Sequence, residues 1–146
     1  MKTILIILSL YNVISCWGQN AFDSLQQDTQ NFKNWAIEIE ELSIDTSVAK
    51  AILPNPKVKL TFHHQTRSSC PAVTLDFYPI ELKDAIEKRL NTYLYYRSSL
   101  TPPPPKEFTS TDYYILAWNL NANRKEKICE CETLETKLVD HFELRK

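Results

Sequence analysis

The clearest pattern of apolar and polar positions lies in residues 79–97, where apolar side chains recur at every third or fourth position. This spacing is typical of an α-helix with one apolar face. Pro79 suits the first turn, where its missing N–H would have no intrahelical acceptor, and the run TPPPP at 101–105 requires the helix to end before it. The predicted helix needs a sheet or other helices to cover its apolar face. That face consists of Leu82, Ile86, Leu90, Tyr93 and Leu94.

Period-two alternation predicts strands on both sides of this helix. Residues 57–62 and 72–78 each alternate apolar and polar side chains, and the polar segment between them indicates an antiparallel hairpin with a long loop. Residues 111–120 are apolar on both faces, so we expect this strand at the centre of the sheet, covered on both sides. Residues 125–132 are predicted to be its partner strand.

Helical periodicity also predicts two further helices, one at residues 21–42 and one at about 133–144. Residues 43–53 fit either a short strand or a broken helix. The fold class expected from this order is α+β, with a small antiparallel sheet of about four strands packed with about three helices.

The first 18 residues predict a signal peptide. Lys2 supplies the charged end, residues 4–14 are mostly apolar, and small residues precede a cut after Gly18. The apolar run is shorter than the ~20 residues that span a bilayer. We therefore expect a signal peptide at 1–18 and a single α+β domain at 19–146 with no transmembrane helix, in a protein that is secreted or periplasmic.

A lipid anchor is one alternative interpretation of the same segment, and an uncleaved or cytosolic segment is another. The residues Val-Ile-Ser before Cys16 look like a bacterial lipobox, which would make the protein an outer-membrane lipoprotein with lipid on Cys16. The first 20 residues also resemble the signal peptides of flavobacterial exported proteins, which often end in Gly-Gln-Asn as here at 18–20. This resemblance carries no implication for the fold.

Composition disfavours several classes of function. The chain has 17 Lys and Arg against 18 Asp and Glu, a net charge of −1, so nucleic-acid binding has no electrostatic support. Its one glycine is Gly18. Phosphate-binding loops, dinucleotide fingerprints and the nucleophile elbow all need glycine, so none of them is expected beyond residue 18. Turns that need positive φ would have to use Asn or Asp.

Three cysteines remain after the predicted cut: Cys70, Cys129 and Cys131. An exported chain meets oxidising conditions, so one disulfide is expected with one thiol left over. Cys129 and Cys131 would be two residues apart in the predicted strand at 125–132, where a bridge between them would strain the backbone. We therefore predict a structural bridge from Cys70 to Cys129 or to Cys131.

The histidines are the weak candidates for a metal. His63, His64 and His141 could join the cysteines in a zinc site, but their spacing matches no strong zinc pattern, and neighbouring residues on a strand point to opposite faces. We expect no cofactor. A small extracytoplasmic hydrolase or metal-dependent enzyme that uses these His or Cys residues is the alternative function.

Exposed aromatic residues beside a proline arm are the remaining feature. Tyr95 and Tyr96 fall largely off the apolar face of the predicted helix, and the prolines that follow predict a stiff, extended arm. Tyrosines beside a rigid loop are typical of binding surfaces. The expected function is binding of an unknown protein or small ligand, without catalysis, through Tyr95, Tyr96, Pro103 and Pro104.

Overall fold

The computed structural model describes residues 20–28, 31–66, 70–97, 103–120 and 131–145. The chain divides into two units, Met1–Lys33 and Asn34–Lys146. In the first unit, helix α1 spans Asn20–Gln27. Among the described residues no helix is long and apolar enough to cross a bilayer. The second unit contains strands β1 (Trp35–Glu41), β2 (Val58–His64), β3 (Val73–Pro79), β4 (Lys106–Thr109) and β5 (Tyr113–Trp118), with helices α2 (Lys83–Arg97) and α3 (Cys131–Phe142).

The strands form one antiparallel sheet in the order β1-β2-β3-β5-β4. The predicted hairpin is present as β2 and β3, with Val58 opposite Phe77. After β3 the chain forms a short 3-10 turn at Ile80–Leu82 and helix α2, passes β5 and enters β4 at the edge of the sheet. The predicted α+β class is confirmed, and the helix predicted in 79–97 is present as α2, although it begins at Lys83 and Pro79 ends β3. The strand predicted at 111–120 is present as β5 with a strand on each side, but the centre of the sheet is β3.

Helices α2 and α3 cover opposite faces of the sheet. Ile86 and Leu90 of α2 pack in one cluster with Tyr78 of β3. On α3, the ring of Phe142 lies 5.3 Å from that of Phe77, measured between centroids. Consecutive strand residues point to opposite faces, so Phe77 and Tyr78 place the two helices on the two sides. Fully buried apolar side chains on the Phe77 face include Leu60, Phe62, Val73, Leu75 and Ile115.

The helix predicted over residues 21–42 is wrong in its second half. Asp28 accepts hydrogen bonds from the backbone and the side chain of Asn31, at 3.2 and 2.9 Å, and such local bonds compete with helix formation. Further along, Trp35, Ile37 and Ile39 also alternate with polar residues, and β-branched residues favour strands. Pairing with β2 makes this segment β1, so the sheet has five strands where four were predicted.

Three other predictions need correction. No strand was predicted between residues 98 and 110, but Lys106–Thr109 forms β4 and pairs with β5. Since β3 and β4 occupy the two sides of β5, the strand predicted at 125–132 is not its partner. Residues 121–130 lie outside the described residues, and residue 131 begins α3. Residues 43–53 form turns, neither a strand nor a helix.

Candidate binding surface

Helix α2 ends in two exposed tyrosines. The helix advances about 100° per residue, so with Ile86 and Leu90 against the sheet, Tyr95 and Tyr96 lie towards the outer side. Tyr95 is 76% exposed and Tyr96 is 69% exposed. Their ring centroids are 5.4 Å apart in an edge-to-face arrangement. Two of the four predicted binding residues therefore form one aromatic pair on the surface.

The other two predicted binding residues precede β4. Pro103 and Pro104 are exposed, and Pro105 is half-buried immediately before Lys106 begins the strand. Proline fixes its own φ, so an exposed proline segment loses little backbone entropy when a partner binds it. Residues 98–102 lie outside the described residues. The tyrosine pair and the two prolines thus stand at the two ends of the connection from α2 to β4.

Ring contacts and a hydrogen bond link the end of α2 to the interior of the sheet. The guanidinium of Arg97 lies over the ring of Tyr93, 5.1 Å from its centroid. The Tyr93 ring meets the Trp118 ring edge to face at 6.2 Å, and Trp118 Nε1 donates to Asp76 Oδ2 at 2.9 Å. These four residues, the Asp76–Arg97 chain, hold the last turn of α2 against β3 and β5.

Asp76 is a buried carboxyl at the inner end of this chain. It is 8% exposed, and its Oδ1 is buried with no hydrogen-bond partner. Burial raises the pKa of Asp76, while the charge of Lys59 on β2 and the hydrogen bond from Trp118 oppose the rise. Burial, and then the charge of Asp76, raises the pKa of Tyr78, whose hydroxyl donates to the carbonyl oxygen of Pro54 at 2.7 Å.

Asp76 was not among the residues predicted from the sequence to form a site. One signal was present: Val73, Leu75 and Phe77 share a face, so Asp76 must point to the opposite side of β3. Alternation marks that side as the polar one, and nothing local to the strand shows that α2 lies over it. The cluster that includes Tyr78 shows that this side is covered.

The three histidines predicted as weak metal candidates lie in three different environments. His63 and His64 are neighbours on β2 and face opposite sides of the sheet. His63 Nε2 is 3.8 Å from Glu38 Oε2, and the His64 ring lies 5.0 Å from the ring of Trp35. His141 belongs to α3. Within the described ranges, no three His, Cys, Asp or Glu residues form a group that could hold a metal ion.

Of the disulfide candidates, Cys70 is buried just before β3. Cys129 lies outside the described residues. Cys131 is the first residue of α3, whereas it was predicted to lie in a strand. The bridge from Cys70 to Cys129 or Cys131 therefore stays a prediction.

A half-open groove of about 700 Å³ lies between the start of α2, the turn from β4 to β5 and the end of α3. It contains none of the residues predicted to form a site. Both signs of charge line it, so it does not select an ion of one sign. Its charged residues are Lys83, Asp140, Glu143 and Arg145.

Comparison of the chain with models of protein families, with curated proteins and with solved structures found no match.

Proposed function

We propose that this protein is a small exported domain that binds a protein partner, without catalysis, through the tyrosine-proline surface formed by Tyr95, Tyr96, Pro103 and Pro104. The exposed tyrosine pair is the observation that carries the proposal. Tyrosine buries a large area at low entropic cost when it binds, because only two side-chain torsions have to be fixed. Large aromatic residues also dominate the energetics of many interfaces.

The shape of the surface favours a protein over a small ligand. Small ligands bind in concave pockets that cover most of their area, whereas Tyr95 and Tyr96 lie on the outer side of a helix end. A complementary partner would offer a shallow apolar groove with acceptors for the two hydroxyl groups. Arg97, also exposed, adds a positive charge beside the pair.

Site-specific photo-crosslinking tests the binding surface. A benzophenone amino acid replaces Tyr96 in one variant and Ile52, which is 53% exposed, in a control variant. We expect a discrete crosslinked protein from position 96 only. The purified partner should bind the Y95A/Y96A double variant about tenfold more weakly than the wild type, because large aromatic side chains are often hot spots of an interface. It should bind the control variant I52A as tightly as the wild type. Equal binding to both variants would contradict the proposal.

Export is tested separately by the intact mass of the protein from its native host, with and without reductant. A chain that begins at Gln19 supports secretion, and a lipid-bearing start at Cys16 supports an anchored protein. An intact chain that begins at Met1 would contradict export while leaving the binding surface unaffected.

A further inference from the structure

Strand β1 presents an open backbone edge. It is the first strand of the sheet, and no strand of the described chain pairs with its outer side. On its inner side, the Leu42 N–H donates to the Lys57 carbonyl at 3.0 Å, and the Gln65 N–H donates to the Asn34 carbonyl at 2.8 Å. Residues 34 and 42 therefore belong to the hydrogen-bonded pairs with β2.

The spacing of these pairs fixes which groups point outward. Hydrogen-bonded and non-hydrogen-bonded pairs alternate along an antiparallel ladder. The even-numbered residues of β1 therefore bond to β2, and Ile37 and Ile39 direct their N–H and C=O groups to the outer edge. These residues supply evenly placed donors and acceptors to which another strand can bond.

The side chains along this edge differ between its two faces. Ile37 and Ile39 are half-buried on one face, while Glu38 and Glu40 are exposed on the other. A strand added outside β1 would cover the isoleucines with its own apolar residues. Its alternate residues would lie beside the glutamates.

The existing neighbour of β1 indicates the chemistry that suits this edge. Lys59 of β2 lies opposite Glu40, and His63 of β2 approaches Glu38 at 3.8 Å. We propose that β1 binds an extended segment of another protein in which basic residues alternate with apolar ones, so that this segment becomes a sixth strand. In this mode the backbone bonds provide affinity and the alternating side chains provide specificity.

The same glutamates argue against a second copy of this chain as the occupant. Antiparallel pairing of β1 with itself, centred on Ile39, places Glu38 of each copy opposite Glu40 of the other. Like charges directly opposite one another destabilise a strand pair. A charged edge strand resists self-association, and the same charge attracts a basic segment.

Labelled peptides test this interface on the full chain. The probes are a fluorescein-labelled octapeptide of alternating valine and lysine and a matched peptide of alternating valine and glutamate. We expect the lysine peptide to bind, with affinity that falls as NaCl rises from 50 to 300 mM, and to shift the amide resonances of Ile37 and Ile39. The glutamate peptide should not bind. Shifts centred on Tyr95 and Tyr96, or equal binding of both peptides, would overturn the proposal.

Two variants separate the backbone and charge contributions. Ile39→Pro removes one outward N–H, a change that edge strands tolerate, and should weaken binding of the lysine peptide at least tenfold. E38K/E40K changes exposed residues only and should reverse the preference in favour of the glutamate peptide. If E38K/E40K still binds the lysine peptide more tightly than the glutamate peptide, the proposal is contradicted. This holds even if I39P does not fold. Unchanged binding by Y95A/Y96A is expected, so this test is independent of the tyrosine-proline surface.

Discussion

Trp118 donates a hydrogen bond of 2.9 Å to Oδ2 of Asp76, while Oδ1 of the same carboxyl is buried without a partner. An unpartnered buried polar atom costs about 1–3 kcal/mol, and more when the group is charged. Protonation removes the charge, so the folded state favours the neutral carboxyl, and the pKa of Asp76 is raised by its burial. Lys59 acts against this rise from the neighbouring strand.

We expect Asp76 to make the protein less stable as the pH rises. Between the unfolded pKa of about 3.9 and the raised folded pKa, the folded state retains a proton that the unfolded state has lost. The free energy of unfolding therefore falls with increasing pH across this window. Asp76→Asn removes the ionisation and places an amide donor or acceptor at the position of Oδ1.

Urea unfolding at pH 4, 6 and 8 measures this effect. The stability of D76N relative to the wild type should increase from pH 4 to pH 8, because D76N has no carboxyl that loses its proton in this range. Asp140→Asn removes an exposed carboxylate on α3 and serves as the control for the loss of a charge. A D76N profile parallel to that of the wild type would show that Asp76 carries no such effect.

Local alternation was enough to predict the strands whose two faces differ. β2 and β3 alternate without a break, and the apolar face of α2 is equally clear, so these elements were predicted close to their observed bounds. The segment Trp35–Glu41 satisfies the helical and the strand period together. Its state depends on the local bonds of Asp28 and on pairing with β2, which lies about 20 residues further along the chain.

Part of the candidate surface could be predicted from the sequence, because periodicity also shows which side of a helix a residue lies on. Helical phase alone places Tyr95 and Tyr96 off the apolar face of α2, and both are exposed. The burial of Asp76 could not be predicted from the sequence. It depends on the packing of α2 over β3 and on the contact of Trp118 with Asp76, which involves residues 42 positions apart in the sequence.

Arg89 is expected to hold the loop at residues 42–57 against α2. Its guanidinium donates to the carbonyl oxygens of Val48 at 2.8 Å and Ala49 at 3.3 Å, and also to that of Thr46. Arg89→Ala should lower the free energy of unfolding by about 1–2 kcal/mol, in the range of hydrogen bonds from charged donors.

Amide hydrogen exchange locates the effect of this change. Exchange in residues 46–53 should accelerate in R89A, and Arg89→Lys should fall between R89A and the wild type because an ammonium group cannot reproduce the forked geometry. Lys88→Ala, at the exposed neighbouring position, is the control and should stay within about 0.5 kcal/mol of the wild type. Unchanged exchange in R89A would mean that other contacts hold the loop.

Lys106 and Glu135 should contribute a measurable coupling energy between β4 and α3. Lys106 Nζ lies 2.8 and 2.9 Å from the two carboxylate oxygens, and the side chains are 27% and 16% exposed. Partial burial limits screening, so a double-mutant cycle with K106M and E135Q should give about 1 kcal/mol, reduced by salt. The exposed His63–Glu38 pair, at 3.8 Å, is the control and should show a weaker coupling. Equal coupling in the two pairs would contradict this prediction.

Glu143 is expected to be a site where glycine stabilises the protein. It has a φ of 53° at the end of α3, where the Leu144 N–H donates to the Val139 carbonyl at 3.0 Å, as in a helix that ends in a left-handed residue. A side chain with a Cβ disfavours this conformation. Glu143→Gly should therefore raise the free energy of unfolding by about 0.5–1 kcal/mol, whereas Glu143→Ala, which keeps the Cβ, should give no such gain.

Asn119 is the comparison for Glu143. Both residues have a positive φ, but the side chain of Asn119 also makes a hydrogen bond. Its φ is 63°, as expected for Asn in a chain whose one glycine lies at position 18. Its Nδ2 also donates to the carbonyl oxygen of Ala72 at 3.2 Å. Asn119→Gly relieves little backbone strain, since Asn tolerates positive φ, and it loses this bond. Chemical unfolding should thus show a gain for E143G and none for N119G, and the opposite order would mean that backbone strain does not limit stability at the end of α3.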